Sequence, residues 1–382
     1  MRTEPVVARG AAINLVGSLA GALDPLLLAV LSWALGAQPL GRYVLATTYV
    51  AILLRLCVLG LDRGLLRQVP IALERQDTGA LASAIGTALR VALGLSLIGA
   101  AAVGLLAESF AGDGTWLGWM VLTMPLQALA TVALFALRGC SNMVAFVTVR
   151  NGLTPALILL VALPAIALGA GERGLIAGYL AAQLGAATLA LGWLRRGFPG
   201  LSATALLRAP RDRALLRFAL PQGISELLNL LLARSDIVMI GFFFPHDPEL
   251  VAAYAIASML AGVPKKVRQG FDHSAAPVLA AAIGRGDRIA LGTTYAQVGR
   301  WVFALWIPVA GALSLAAPLL LSAFGPDYAR HAAVVPILIA GRAINAACGP
   351  AQTALLMAGR ARLELFNVAA INALNVAANA LL

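Results

Sequence analysis

The stretch Pro221–Phe243, PQGISELLNLLLARSDIVMIGFF, has the length and apolar content of a membrane span but contains Glu226, Arg234 and Asp236. Several polar side chains of this stretch fall on one narrow stripe when a helix turns 100° per residue. They are Gln222, Glu226, Asn229 and Asp236. A charge at the centre of a bilayer costs at least about 2.5 kcal/mol. The stripe is therefore predicted to face a partner charge, a bundle interior or a water-filled cavity, and not lipid.

The composition of the whole chain agrees with a membrane protein. Of its 382 residues, 60% are hydrophobic and 12% are charged, whereas soluble domains average about 25% charged residues. We attribute the net charge of +11 to basic cytoplasmic loops and not to nucleic-acid binding. Cys57, Cys140 and Cys348 form no closely spaced pair, which predicts neither a metal site nor a disulfide framework.

Long apolar runs predict an all-α fold. A helix needs roughly 20 mostly apolar residues to cross a bilayer, and the runs lack the alternation of membrane β-strands. The predicted helices are 10–34, 41–69, 80–107, 117–138, 145–169, 174–194, 217–244, 251–280, 291–323, 333–357 and 366–382. Because the last run is still apolar at Leu382, we expect a truncated second half.

Basic residues predict the orientation. Loops on the side of the N-terminus contain Arg67, Arg75, Arg138, Arg150, Arg195, Arg196, Arg208, Arg211, Arg213, Arg285, Arg288, Arg360 and Arg362. Loops on the other side contain chiefly Arg42, Arg173 and Arg330. Since cytoplasmic loops carry the excess of Lys and Arg, the N-terminus is predicted to be cytoplasmic.

A basic connector separates two similar halves. Residues 195–216 contain Pro199 and Pro210 and divide an N-terminal lobe, 1–194, from a C-terminal lobe, 217–382. Four polar or glycine pairs are 210 positions apart: Thr48/Ser258, Arg55/Lys265, Gly60/Gly270 and Asp62/Asp272. The pattern predicts two pseudo-symmetric six-helix lobes, the second one incomplete, around a central cavity. Gly60 and Gly270 would allow close helix contact.

The symmetry predicts a basic cavity. Arg55 and Lys265 would lie opposite each other, about 20 Å from the outer ends of their helices. Other candidate substrate-binding cations are Lys266, Arg342, Arg90 and Arg234. Candidates for polar lining or for coupling are Asn14, Asp24, Thr48, Asp62, Gln222, Glu226, Asn229, Asp236, Ser258 and Asp272. Local ion pairs, such as Arg234 with Asp236 or Asp62 with Arg63, are the alternative.

Five stretches resemble a known branch of transporters. Leu35–Pro70, LGAQPLGRYVLATTYVAILLRLCVLGLDRGLLRQVP, resembles the second-helix signature of polysaccharide transporters. These belong to the multidrug/oligosaccharidyl-lipid/polysaccharide exporter (MOP) superfamily. Leu215–Phe243, followed by Val251–Gly262, resembles the start of the second lobe. Leu319–Gly341 and Asn367–Leu382 resemble the region of the ninth to eleventh helices.

The resemblance implies two lobes in a V that open alternately to either side of the inner membrane. It also implies a substrate, an oligosaccharide on undecaprenyl diphosphate that is moved to the periplasmic leaflet. Arg or Lys in the cavity would neutralise the diphosphate, and the lipid tail would stay in the bilayer. H⁺ or Na⁺ is expected as the coupling ion, and a polysaccharide polymerase is expected as a partner.

Other functions stay open at this point. A cation-coupled multidrug exporter of the same superfamily would favour an acidic cavity, and a lipid II flippase is closely related. A membrane glycosyltransferase or ligase would need a large outer loop or a carboxylate cluster. No outer loop is long enough and His246, His273 and His331 have no matching nucleophile, so we expect no enzyme activity. We also expect no cofactor and no direct use of ATP, since the sequence has neither a Walker nor a Rossmann glycine motif.

Overall fold

Helices form the regular secondary structure of the described residues in this computed structural model. The structure describes residues 23–106, 114–140, 142–265, 288–348 and 360–381, and the isolated positions 283, 285, 351, 354, 355 and 358. The helical content agrees with the all-α fold that the sequence predicts.

The first part of the chain contains helices up to Phe243. They are α1 (Leu23–Leu35), α2 (Ala37–Val58), α3 (Leu61–Glu74), α4 (Thr78–Leu106), α5 (Gly114–Val121), α6 (Met124–Gly139), α7 (Met143–Phe146), α8 (Thr154–Ala165), α9 (Glu172–Gly197), α10 (Ala203–Arg208) and α11 (Arg213–Phe243). π-helical segments, Val147–Leu153 and Ile166–Ala170, precede and follow α8.

The second part contains four described helices and one short 3₁₀ segment. The helices are α12 (Pro248–Ala261), α13 (Arg288–Ser322), α14 (Val334–Ala347) and α15 (Ala361–Leu381). The 3₁₀ segment, Pro326–His331, connects α13 to α14.

Six helical segments of the described residues are long and apolar enough to cross a membrane. They are Ala37–Val58, Thr78–Leu105, Trp116–Gly139, Met143–Ala170, Glu172–Gly197 and Leu291–Ser322. Three shorter apolar helices, Leu23–Leu35, Val334–Ile344 and Leu365–Ala378, accompany them. The chain is therefore a polytopic helical membrane protein.

The predicted helix 41–69 is broken, so its prediction as one continuous helix was wrong. Leu59 and Gly60 both adopt left-handed backbone conformations, with φ of 49° and 72°. Glycine tolerates such a φ readily, whereas leucine rarely adopts it. The chain therefore leaves α2 at Val58 and starts α3 in a new direction at Leu61.

The described structure divides into two compact units, Met1–Pro248 and Glu249–Leu382. Helices α3, α4, α6 and α9 of the first unit enclose a core that includes Leu65, Ile85, Leu137 and Ala190. Helix α11, which the sequence assigns to the second lobe, packs against α2 and α3. The predicted lobe boundary at 195–216 concerns the internal repeat and stays a prediction.

Candidate functional site

Small residues bring α11 into backbone contact with the break between α2 and α3. A Cβ atom on Gly223 would lie 2.5 Å from the carbonyl carbon of Leu59, and one on Gly60 would overlap Ala219 and Gly223. One turn along, a Cβ on Gly64 would lie 2.6 Å from Leu215 Cδ1. Only small residues allow so close a crossing. The prediction that Gly60 permits close helix contact is confirmed, whereas Gly270, for which the same was predicted, lies outside the described residues.

Four charged side chains meet next to this crossing. Arg55 Nη1 lies 2.6 Å from Asp62 Oδ2, and Arg55 Nη2 lies 3.0 Å from Glu226 Oε2. Arg63 Nη2 lies 2.8 Å from Glu226 Oε1. We call Arg55, Asp62, Arg63 and Glu226 the four-charge cluster. Its two positive and two negative charges balance each other.

The members of the four-charge cluster differ in exposure. The Asp62 side chain is 0% exposed, whereas 22% of Arg55, 23% of Glu226 and 40% of Arg63 are exposed. Asp62 Oδ1 and Arg63 Nε are buried without a hydrogen-bond partner among the described residues. The cluster is thus closed on the side of Asp62 and partly open on the side of Arg63.

A second charged group lies within the first unit. Asp24 interacts electrostatically with Arg150 and Arg234. All three residues are exposed, although neighbouring protein also surrounds their charged groups. We call Asp24, Arg150 and Arg234 the accessible charged group, and its formal charge is positive.

The backbone around Arg150 is unusual. Arg150 lies in the π-helical segment Val147–Leu153, where the sequence predicts an ordinary helix. π-helical turns occur frequently at functional sites because they shift side chains relative to α-helical register. The interior also contains a hydrogen-bonded polar chain, in which Gln127 donates to Thr123 at 2.8 Å and to Tyr179 at 2.9 Å.

The second unit joins two of the predicted residues. Arg342 Nη1 donates to the Ser258 carbonyl and Nη2 to the Ser258 hydroxyl, both at 3.0 Å. The Lys265 side chain is exposed at the end of the described part of this region. Its predicted placement opposite Arg55 stays a prediction. Asn14, Lys266 and Asp272 lie outside the described residues.

Three predicted cavity residues have other surroundings in the structure. The Arg90 guanidinium donates to the carbonyls of Leu207 and Ala209, which ties the α10 segment to α4 and indicates a tethering role. Thr48 is 1% exposed, so it lines no open cavity in this conformation. Asp62 is equally buried and binds Arg55, and not Arg63 as the ion-pair alternative predicts.

The polar stripe of α11 divides between partners and solvent. Glu226 joins the four-charge cluster, whereas Gln222 is exposed. Asn229 is also exposed and its amide donates to the Ser225 carbonyl at 2.9 Å. Asp236 is half-buried. Within the stripe, Glu226 is therefore paired with protein groups, whereas the amide side chains of Gln222 and Asn229 are exposed.

Two arginines of these sites were missed as site residues by sequence reasoning. Arg63 appeared only as a local partner of Asp62, and Arg150 only as a basic loop residue. For Arg63, the available signal was the glycine at position 60 between it and Arg55, because glycine permits a break in a helix. Within the described residues, no group of three His, Cys, Asp or Glu side chains is placed to hold a metal ion.

Comparison with known proteins yields structural neighbours. No family model and no curated protein matches the sequence. An inward-facing multidrug resistance MATE family transporter of the MOP superfamily aligns with a TM-score of 0.69 and 16% identity, over 91% of this chain and 83% of that chain. The eukaryotic MATE transporter AtDTX14 aligns at 0.56 and 16%, over 99% and 94%.

A third neighbour is a MOP superfamily transporter from Pyrococcus furiosus, whose binding pocket is described as having reverse polarity that suggests a different function. It aligns with a TM-score of 0.58 and 16% identity, over 92% of this chain and 84% of that chain. At these identities, the likeness concerns architecture. The chain has the fold of the MATE transporters of the MOP superfamily.

Proposed function

We propose that the chain is a membrane transporter that moves an oligosaccharide linked to undecaprenyl diphosphate from the cytoplasmic to the periplasmic leaflet of the inner membrane by alternating access. The observation that carries the proposal is the accessible charged group, because two arginines and one aspartate give it a positive charge. The fold of the MOP superfamily supports the transport part of the proposal.

A cationic surface within a membrane unit suits an anionic substrate. Arg150 and Arg234 present guanidinium groups, and a guanidinium can donate two parallel hydrogen bonds to phosphate. Protein around them lowers the effective dielectric constant and strengthens the attraction. The exposed amides of Gln222 and Asn229 offer hydrogen bonds for sugar hydroxyls.

The rest of the proposal follows from this substrate. The N-terminus is cytoplasmic, the two repeat-related lobes rock around a shared cavity, and Lys265 and Arg342 supply further positive charge from the second lobe. H⁺ or Na⁺ drives the cycle, and a polysaccharide polymerase consumes the delivered repeat unit. A lipid II flippase would use the same chemistry for its diphosphate.

A cation-coupled multidrug exporter is the second candidate. Two observations favour it: the neighbour with the TM-score of 0.69 is a multidrug resistance transporter, and Asp24 offers an accessible carboxylate. The reverse polarity described for the Pyrococcus furiosus transporter is relevant because it associates a different pocket charge with a different function on this fold. The excess of arginine over carboxylate around Asp24 is the reason for preferring an anionic substrate.

The substrate class can be tested with the wild-type chain in proteoliposomes. Fluorescent oligosaccharide linked to undecaprenyl diphosphate should cross to the opposite leaflet, and a fluorescent organic cation should not accumulate. Empty liposomes give the background. Transport of the organic cation without movement of the lipid-linked sugar would replace the flippase proposal with the exporter.

A further inference from the structure

Glu226 is held in the way in which proteins hold a phosphate group. Its two carboxylate oxygens each face a different arginine: Oε2 lies 3.0 Å from Arg55 and Oε1 lies 2.8 Å from Arg63. Arginine forms strong charge-assisted hydrogen bonds to carboxylates and to phosphates, so two guanidinium groups that converge on separate oxygens of one anion are suited to either anion.

The two arginines belong to one part of the molecule and the glutamate to another. Arg55 lies in the last turn of α2 and Arg63 in the first turn of α3, on either side of the break at Leu59 and Gly60. Glu226 comes from α11, 171 positions after Arg55. Removal of α11 from the crossing would therefore withdraw the carboxylate and leave both arginines in place.

The arginines retain the capacity to bind an external anion. Arg63 is 40% exposed, and its Nε has no hydrogen-bond partner among the described residues. Asp62 neutralises one charge of the pair and keeps Arg55 oriented, since it is buried and lies 2.6 Å from Arg55 Nη1. Without Glu226, the remaining three groups would have a formal charge of +1.

The contact of α11 with the break between α2 and α3 also places the Glu226 carboxylate beside the two arginines. Glu226 follows Gly223 by less than one helical turn, and Gly223 lies against the Leu59 carbonyl. The carboxylate can reach the arginines only while α11 occupies this crossing. Occupation of the site by Glu226 and occupation by a phosphate would then be alternatives.

We infer that Arg55 and Arg63 form a diphosphate-binding site that Glu226 occupies as an internal substitute, so that binding of an anionic headgroup and seating of α11 at the crossing exclude each other. The identity of the ligand as a lipid diphosphate rests on the proposed function. Because α2 ends at this site and the predicted topology places that end on the cytoplasmic side, the headgroup would displace Glu226 at the start of the transport cycle.

The test is the binding of inorganic pyrophosphate and of farnesyl diphosphate to the purified full chain in detergent, measured by calorimetry. E226Q removes the internal anion but keeps the side-chain shape. When Glu226 occupies most of the sites, few are free for pyrophosphate, and the apparent affinity for pyrophosphate is lowered in proportion. E226Q should therefore bind pyrophosphate about tenfold or more tightly than the wild type. R55Q or R63Q in the E226Q background should abolish the gain.

Glu172 provides a matched control. It is also a half-buried glutamate paired with an arginine, at 3.1 Å from Arg42, and Trp116 donates to it at 2.9 Å. E172Q should leave pyrophosphate affinity unchanged. Equal or weaker binding by E226Q, or an equal gain by E172Q, would overturn the inference. If E226Q does not fold, E226D provides the same test, because a carboxylate shortened by one methylene should compete less well.

The two ligands separate the headgroup from the lipid. Tighter binding of both ligands by E226Q supports a diphosphate site. A larger gain in affinity for farnesyl diphosphate than for pyrophosphate shows that the farnesyl group also contributes. The outcome is independent of the transport assay. A gain in E226Q without transport of lipid-linked sugar would retain the anion site and reject the flippase, whereas transport without a gain would do the reverse.

Discussion

The four-charge cluster and the accessible charged group lie in the same unit but use their charges differently. In the first, two arginines and two carboxylates contact each other at 2.6–3.0 Å and cancel. In the second, two arginines outnumber one carboxylate and all three keep accessible surface. Charge balance in the first region holds helices together while Glu226 is seated there, whereas the charge imbalance in the second leaves an excess of positive charge for a ligand without any internal substitute.

The largest contrast between the regions should appear when their aspartates are neutralised. D62N leaves Arg55 without its buried partner. Breaking a fully buried pair costs about 3–5 kcal/mol, and Arg55 is partly exposed and keeps Glu226, so we expect a loss of about 3 kcal/mol. Thermal or denaturant unfolding in detergent measures it.

D24N is the matched control, because it makes the same change in the accessible charged group. Asp24 is exposed, so D24N should change the stability little. Equal losses for the two variants would mean that the regions do not differ as described.

A smaller effect is expected from adding one methyl group at the helix crossing. In G223A, the new Cβ would lie 2.5 Å from the Leu59 carbonyl carbon, so backbone must move. Overpacking of this kind costs about 1–3 kcal/mol, and it should also weaken the contact of Glu226 with the arginines.

Gly192 in α9 provides the comparison for G223A. A Cβ there meets no atom within 4 Å, and alanine is the better helix former by up to about 1 kcal/mol. G192A should therefore be neutral or stabilising in the same unfolding experiment. A neutral G223A would show that the crossing does not depend on the missing Cβ.

Sequence periodicity could predict the helices and the polar stripe of α11, because both depend on local composition. It could also predict that Gly60 permits a close contact. Periodicity could not predict which residue packs against Gly60, since Gly223 lies on a helix that is distant in the sequence. Residues i and i+7 on a continuous helix are two turns apart, so the 2.6 Å contact of Arg55 with Asp62 was hidden until the break at Leu59 was known.

The role of Arg150 was hidden for a different reason. Its position at the start of a predicted helix, on the side that the basic residues predict to be cytoplasmic, is typical of a topology signal. A π-helical segment has no distinct composition, and the electrostatic partners Asp24 and Arg234 lie on other helices. Only the tertiary structure shows that this arginine belongs to the accessible charged group.

The central claim is that the arginines of the accessible charged group bind an anionic substrate. The most direct measurement is the rate of flipping of the lipid-linked oligosaccharide in proteoliposomes by the double variant R150Q/R234Q. The exposed basic pair at the end of α9 allows a control with equal loss of charge, R195Q/R196Q. We predict at least a tenfold loss of rate for the first variant and little change for the second. Wild-type rates in R150Q/R234Q would contradict the account.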